Sequence, residues 1–168
     1  PWDAALVFDW RLPDGARLSG VNARLMLPAL SFDVFSSAGR ANLKRSHEQR
    51  VAQFASIASL IDQVAWTRPA PAGVIVAGDF NTPAAMKSLD PLRRRLEDAW
   101  KRAGRGWGST MTNDFPVSRI DQCWMSAPLR ALDARVRPSR LSDHRMLVVD
   151  VALPRRARAD PVEAPRRK

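Results

Sequence analysis

The sequence predicts a mixed α+β domain, and three observations carry that expectation. The N-terminal segment has strand-like apolar spacing and a Pro-Asp-Gly turn. Apolar residues then recur at helical spacing between Leu43 and Trp66, and a short apolar run, VIVA at 74–77, follows a stretch rich in proline and glycine. Strands and helices in alternation pack as layers around one core. A chain of 168 residues with 45% hydrophobic content is long enough for one such domain with a sizeable core.

Residues 4–10 and 17–27 read as two strands of a hairpin, joined at Pro13-Asp14-Gly15, with Leu18, Val21 and Leu25 as the apolar positions of the second. Pro28 stops that strand, and the chain through Phe35-Ser36-Ser37-Ala38-Gly39 reads as a loop. The helix from about Leu43 to Trp66 has its stripe at Val51, Phe54, Ile57, Leu60, Ile61 and Val64, with Ser46 and Gln49 spaced as a capping box. Arg68-Pro69-Ala70-Pro71-Ala72-Gly73 then leads into the strand Val74–Ala77. A second helix is expected over 91–103, with Pro91 at its first position, Leu92, Leu96, Ala99 and Trp100 on one face, and Gly104 closing it. Its basic face, Arg93-Arg94-Arg95 with Lys101-Arg102, reads either as solvated surface or as an anion-binding face. Two further strands, 118–126 and 145–153, are separated by irregular chain, and Trp100 and Trp124 read as core. Residues 1–153 are thus expected to form the domain. Residues 154–168, PRRARADPVEAPRRK, lack apolar periodicity and read as a disordered basic tail.

Lys and Arg number 27 against 17 Asp and Glu, a formal net charge of +10. Only six basic and two acidic residues lie in the tail, so most of the excess belongs to the domain. Such a surface favours polyanionic partners: DNA or RNA, anionic lipid headgroups, or inositol phosphates. No obligate protein partner is evident. The single cysteine, Cys123, excludes an internal disulfide framework and reads as a small buried apolar residue. No apolar run reaches the roughly 18 residues needed to cross a bilayer, and no signal peptide is visible, so a cytoplasmic protein is the default expectation. The chain opens on Pro1, which fits a fragment of a longer protein.

Chemistry concentrates in three short stretches. Gly78-Asp79-Phe80-Asn81 follows one strand, Arg119-Ile120-Asp121 begins or lies on another, and Ser142-Asp143-His144 precedes a third. Each stretch alone also has an ordinary structural reading, as a turn former, a surface ion pair or a strand-initiating loop. Together, carboxylates, one amide and one histidine at strand ends suit cation-assisted attack of water on phosphorus. A hard cation needs oxygen ligands, the water needs a base, and the phosphate oxygens need donors. His47, near a helix start, reads as ordinary surface.

The set GDFN at 78–81, RID at 119–121 and SDH at 142–144 resembles the endonuclease/exonuclease/phosphatase superfamily. The helix carrying Arg50 and Gln53 before the first motif, and LEDAW at 96–100 between the first and second, fit its spacing. The resemblance covers most of residues 15–153. It implies a two-layer β-sandwich flanked by α-helices, a four-layer arrangement of which this chain would be about the C-terminal two thirds. The family's Asn-bearing first strand and its metal-binding glutamate have no match in this chain.

The resemblance implies catalytic residues Asp79, Asn81, Asp121 and His144. The aspartate matching Asp79 aligns or deprotonates the attacking water, and the asparagine matching Asn81 donates to phosphoryl oxygens. The histidine matching His144 contacts phosphate and is held by the aspartate matching Asp121. The implied cofactor is Mg2+ or Mn2+, with Asp79, Asn81 and Asp143 as ligands, and Asn22, Arg24 and Arg119 are the implied substrate-binding residues. Arg24 stands in Asn22-Ala23-Arg24-Leu25, where many members carry a histidine. Arginine can clamp phosphate bidentately but cannot act as a general acid, so Arg24 reads either as a clamp or as a solvent-facing strand residue. A divalent-metal-dependent, nuclease-like phosphodiesterase is the expected function. The alternative is a weakly active or inactive relative that binds a polyanion through the same groove.

Overall fold

The structure, a computed structural model, describes residues 4–27 and 35–153. The stop at Pro28 and the tail at 154–168 lie outside the described residues. Strands β1 (Ala4–Arg11) and β2 (Arg17–Arg24) form the expected hairpin. At its turn Gly15 adopts φ +77°, a conformation glycine reaches without a Cβ penalty, and the Ala16 N–H donates to Asp14 Oδ1 at 2.9 Å. Strand β2 ends at Arg24, and the Leu25 N–H closes its ladder with β3 by donating to the Asp79 carbonyl at 2.9 Å.

Helix α1 (Ser37–Ala65) begins before Leu43, because Ser36 is its cap and accepts from the Gly39 N–H at 2.9 Å. The segment read as a loop therefore contains the cap and the first turn, and Ser46 lies inside the helix. Phe54, Ile57, Ile61 and Val64 are buried as expected. Val51, however, is 43% exposed, and Arg50 and Gln53 occupy the buried stripe in its place.

Strand β3 (Gly73–Asp79) runs parallel to β2, and β5 (Asp121–Met125) runs antiparallel along its other edge. The expected helix over 91–103 is divided. Helix α2 (Asp90–Arg93) and helix α3 (Ala99–Ala103) are separated by a two-residue strand β4 (Glu97–Asp98) that completes a sheet ordered β1-β2-β3-β5-β4. Asp98 is the cause. Its backbone pairs with Trp124, and its carboxylate caps α3 through the Trp100 N–H at 3.0 Å. The same carboxylate accepts from both terminal nitrogens of Arg119, at 3.0 and 2.6 Å. These bonds require extended backbone at 97–98, whereas Leu92, Leu96 and Ala99 stay buried and so kept a helical spacing in the sequence.

The interval read as irregular holds a strand, β6 (Arg130–Arg137), paired antiparallel with β7 (Met146–Ala152). A register shift between Ala131 and Asp133 breaks its alternation and leaves Leu132 exposed, which is why no strand pattern stood out.

Two apolar clusters define the layers. On one face of the five-stranded sheet Val21, Ala23, Val74, Val76 and Trp124 meet α1. On the other face Leu18, Cys123 and Met125 meet Leu147, Val149 and Val151 of the two-stranded sheet. A helix, a sheet and a second sheet are thus stacked, an α+β fold with the expected sheet-on-sheet core. Trp124 is buried, Trp100 packs close against Gly104 and Gly108, and burial pushes the Cys123 thiol up to about 12, as befits a small apolar residue.

The Asp98 contacts give a stability prediction. Removing the carboxylate in Asp98→Ala leaves the largely buried Arg119 guanidinium unpaired, and a loss of about 3–5 kcal/mol is expected in urea unfolding. Replacing both partners by apolar residues should recover most of that loss; an Asp98→Ala chain as stable as wild type would refute the pair's importance.

Candidate active site

The antiparallel register of β3 and β5 sets Asp79 directly opposite Asp121, and the parallel register of β2 and β3 sets Arg24 opposite Asp79. Asn22 and Arg24 are exposed and share one face of β2. Close approach here depends on Gly78. It adopts φ +139°, and a Cβ on it would lie 2.1 Å from the Ala23 carbonyl oxygen and 2.9 Å from Asn22 Oδ1.

Residues 79–81 use strand alternation and then abandon it. Phe80 is buried without exposed surface and stacks on Phe54 of α1, with ring centroids 6.1 Å apart and planes 9° from parallel. That anchor leaves Asp79 on the opposite face, toward the second sheet. Asn81 then takes a left-handed backbone, φ +44°, which asparagine tolerates better than most residues. Its N–H donates to Asp79 Oδ1 at 2.9 Å. Its side-chain amide donates to the Leu25 carbonyl at 2.7 Å and to Asp79 Oδ2 at 3.1 Å. With both amide hydrogens donated inward, the amide oxygen is the atom left for a ligand; donation to a phosphoryl oxygen would require giving up one of these bonds.

His144 precedes β7, and its Nδ1 lies 2.9 Å from Asp121 Oδ2. A carboxylate accepts, so Nδ1 carries the proton and Nε2 is directed elsewhere. The loop 110–118 holds both partners in place. Thr110 Oγ1, fully buried, accepts from the Ile120 and Asp121 amides at 3.3 and 3.1 Å, and the Thr110 carbonyl accepts from the Arg145 N–H at 2.7 Å. Asn113 ties the 139–145 loop down through its Oδ1, which accepts from the Ser139 N–H at 2.8 Å, and its carbonyl, which accepts from Arg145 Nε at 2.7 Å. Neither residue stood out in the sequence, because a single threonine or asparagine in a loop has no periodic signature.

Ligand atoms of Asp79, Asp121 and His144 lie within 4.8 Å of one another. Two carboxylates opposed across a strand pair repel, and a divalent cation would relieve that repulsion, so the oxygen-rich donor set fits a hard cation. Asp143 is exposed and does not join this cluster. Arg119 also lies apart: its guanidinium is spent on Asp98, and it lines a neighbouring cavity rather than the one bordered by Asp79, Asp121 and His144. The cluster lines a cleft of about 560 Å³ between the two sheets, with Ile75, Ala77, Leu147 and Val149 among its apolar walls.

Burial raises the Asp79 pKa above the ordinary carboxylate range; Asp121 adds to the rise, while the Asn81 N–H, His144 and Arg24 oppose it. A pKa raised in the folded state means that folding favours the protonated acid. Stability from this group is complete below the unfolded pKa and is lost as pH rises through the folded one. Asp79→Asn, which removes that loss, is therefore expected to melt above wild type at pH 7 and together with it near pH 3. Equal melting temperatures at both pH values would contradict the assignment of strain to Asp79.

A sequence model of the Endonuclease/Exonuclease/phosphatase family matches residues 20–144. Among curated proteins none matches. Solved structures do. The human nocturnin catalytic domain with bound sulfate superposes with a TM-score of 0.65 at 18% identity, covering 90% of this chain and 53% of that one. A mannosyl-6-phosphatase of Bacteroides thetaiotaomicron gives 0.59 at 18%, covering 83% and 52%. A beta toxin of Staphylococcus aureus gives 0.59 at 12%, covering 88% and 57%. At these identities the likeness establishes the fold, and the chain spans about half the length of the structures it matches.

Proposed function

Because the chain belongs to the endonuclease/exonuclease/phosphatase family, we propose that it is a phosphoesterase that hydrolyses phosphodiester bonds with a divalent cation, Mg2+ or Mn2+. The observation that carries this reading is the convergence of Asp79, Asp121 and His144 on one cleft, with the His144–Asp121 bond at 2.9 Å. Asp79 and Asp121 would hold the cation with the Asn81 amide oxygen, and the bound cation supplies charge neutralisation for the anionic phosphate.

The remaining steps belong to the chain itself. Asp79, a carboxylate lining the cleft, aligns a water and accepts its proton. The water oxygen bonds to phosphorus, the ester P–O bond breaks, and the departing oxygen takes a proton from solvent. His144, oriented through Nδ1 by Asp121, donates from Nε2 to a phosphoryl oxygen when protonated. Arg24, exposed beside Asp79, clamps the substrate's anionic group. Substrates of the nuclease type fit the net charge of +10, and the phosphosugar activity in one neighbour's name marks a second substrate class to assay.

Hydrolysis of bis(p-nitrophenyl) phosphate and of a fluorescent DNA oligonucleotide, with Mg2+, Mn2+ or EDTA, tests the reading. Asp79→Ala and His144→Ala should each lower kcat by at least about 100-fold, and EDTA should abolish turnover. A wild-type rate in either variant would sink it. Arg24→Ala is expected to raise KM by about tenfold with kcat nearly unchanged; a loss in kcat instead would move Arg24 into the chemical step. Salt-sensitive oligonucleotide binding without turnover would favour polyanion binding through the same groove, a reading supported by the charge and by exposed Arg24.

A further inference from the structure

We propose that Arg50 is a positioning residue for this site, acting through the backbone of residues 80–82 to keep Asn81 in its left-handed conformation beside Asp79. Arg50 is 8% exposed and, among the described residues, forms no contact ion pair with a carboxylate, although the charge of Asp79 acts on it through space. Its NH1 donates to the Phe80 carbonyl at 3.2 Å, to the Asn81 carbonyl at 2.8 Å and to Thr82 Oγ1. Its NH2 donates to the Met26 carbonyl at 3.0 Å. The Asn81 side chain bonds to the carbonyl of Leu25, the residue before Met26, so one guanidinium holds both sides of the seam that Asn81 bridges.

The rest of the loop is fixed from β5. Gln122 donates to the Thr82 carbonyl at 2.6 Å, and the Trp124 indole donates to Gln122 Oε1 at 3.0 Å. The carbonyls of Phe80, Asn81 and Thr82 therefore all have donors, and the left-handed turn cannot relax without breaking a buried bond.

Burying a guanidinium is costly unless its donors are used, and an apolar side chain at position 50, although it would extend the stripe of Phe54, Ile57 and Ile61, would take this donor away from the carbonyls of Met26 and Asn81. Arginine's forked donors deliver several bonds in a fixed plane, which suits holding a loop in one conformation.

The proposal rests on the reading of Asp79 and Asn81 as ligand-facing groups, and its test separates the two. On bis(p-nitrophenyl) phosphate, Arg50→Lys should lower kcat by about 10- to 100-fold with KM shifted less than about threefold. Arg50→Lys combined with Asn81→Ala should be no slower than Asn81→Ala alone, since both act on the same group; fully additive losses overturn the proposal. Amide hydrogen exchange on the whole chain supplies a readout independent of turnover. The Asn81 amide should exchange at least about tenfold faster in Arg50→Lys, while amides in the middle of α1 and β3 keep their protection. If Arg50→Lys does not fold, Thr82→Val, which removes one acceptor of the guanidinium, carries both readouts. A wild-type chain without turnover but with selective loss at Asn81 discards hydrolysis and keeps the assignment of Arg50. Unchanged or uniformly lowered protection overturns that assignment whatever the kinetics.

Discussion

Two carboxylates stand face to face because β3 and β5 pair in a register that leaves no alternative: Asp79 opposes Asp121 as Ala77 opposes Cys123 and Ile75 opposes Met125. Slipping one strand past the other by one residue would carry either Ile75 and Ala77 or Cys123 and Met125 out of the inter-sheet core, so the apolar pairs enforce the charged one. The repulsion between the acids is thus a consequence of the packing that stabilises the sheet. It is offset locally by groups that the same strands bring up: the Asn81 N–H on Asp79, the His144 imidazole on Asp121, and Arg24 from the parallel neighbour.

The site has two sides with different physics. Toward the second sheet, Asp79, Asp121 and His144 border an open cleft with apolar walls. Toward α1, the chain between β3 and the 3-10 turn Lys87–Leu89 is held by Arg50, Gln122 and Trp124 in a buried polar network. Phe80 separates the two sides. Its ring, stacked on Phe54, fixes the chain between Asp79, which lines the cleft, and Asn81, which turns back toward β2.

How much of this was legible in the sequence follows from which signals are local. Strand β3 and the placement of Asp79 at its end could be read from an apolar run punctuated by glycine, in agreement with the structure, whereas the His144–Asp121 pairing was implied by the family resemblance, and Nδ1 lies 2.9 Å from Asp121 Oδ2. The resemblance of the three motifs to one family agrees with the match over residues 20–144. Less legible were features set by tertiary contacts. Asp98 divides an amphipathic pattern because it must pair with Trp124 and Arg119, neither of which is near it in sequence. Strand β6 was hidden by a bulge, and the true cap of α1 by a second serine that also fitted the capping pattern. Arg50 was visible as a member of a helix yet silent about its partners, since the carbonyls it holds lie at 26, 80 and 81.

The motif Asp-Phe-Asn can thus be derived from its surroundings. A carboxylate that lines a cleft at the end of a buried strand needs a neighbour that keeps the strand in the core, and an aromatic ring on the helix side does that with one residue. The next residue must reverse the chain, accept a positive φ and still carry a polar group back to the carboxylate. Glycine satisfies the first two demands and lacks the third; aspartate would add another negative charge beside Asp79 and Asp121. Asparagine meets all three, donating its N–H and its amide to Asp79 while its own φ is +44°. The sequence at 79–81 is therefore what the register of β2, β3 and β5 leaves room for once two acids must share one end of the sheet.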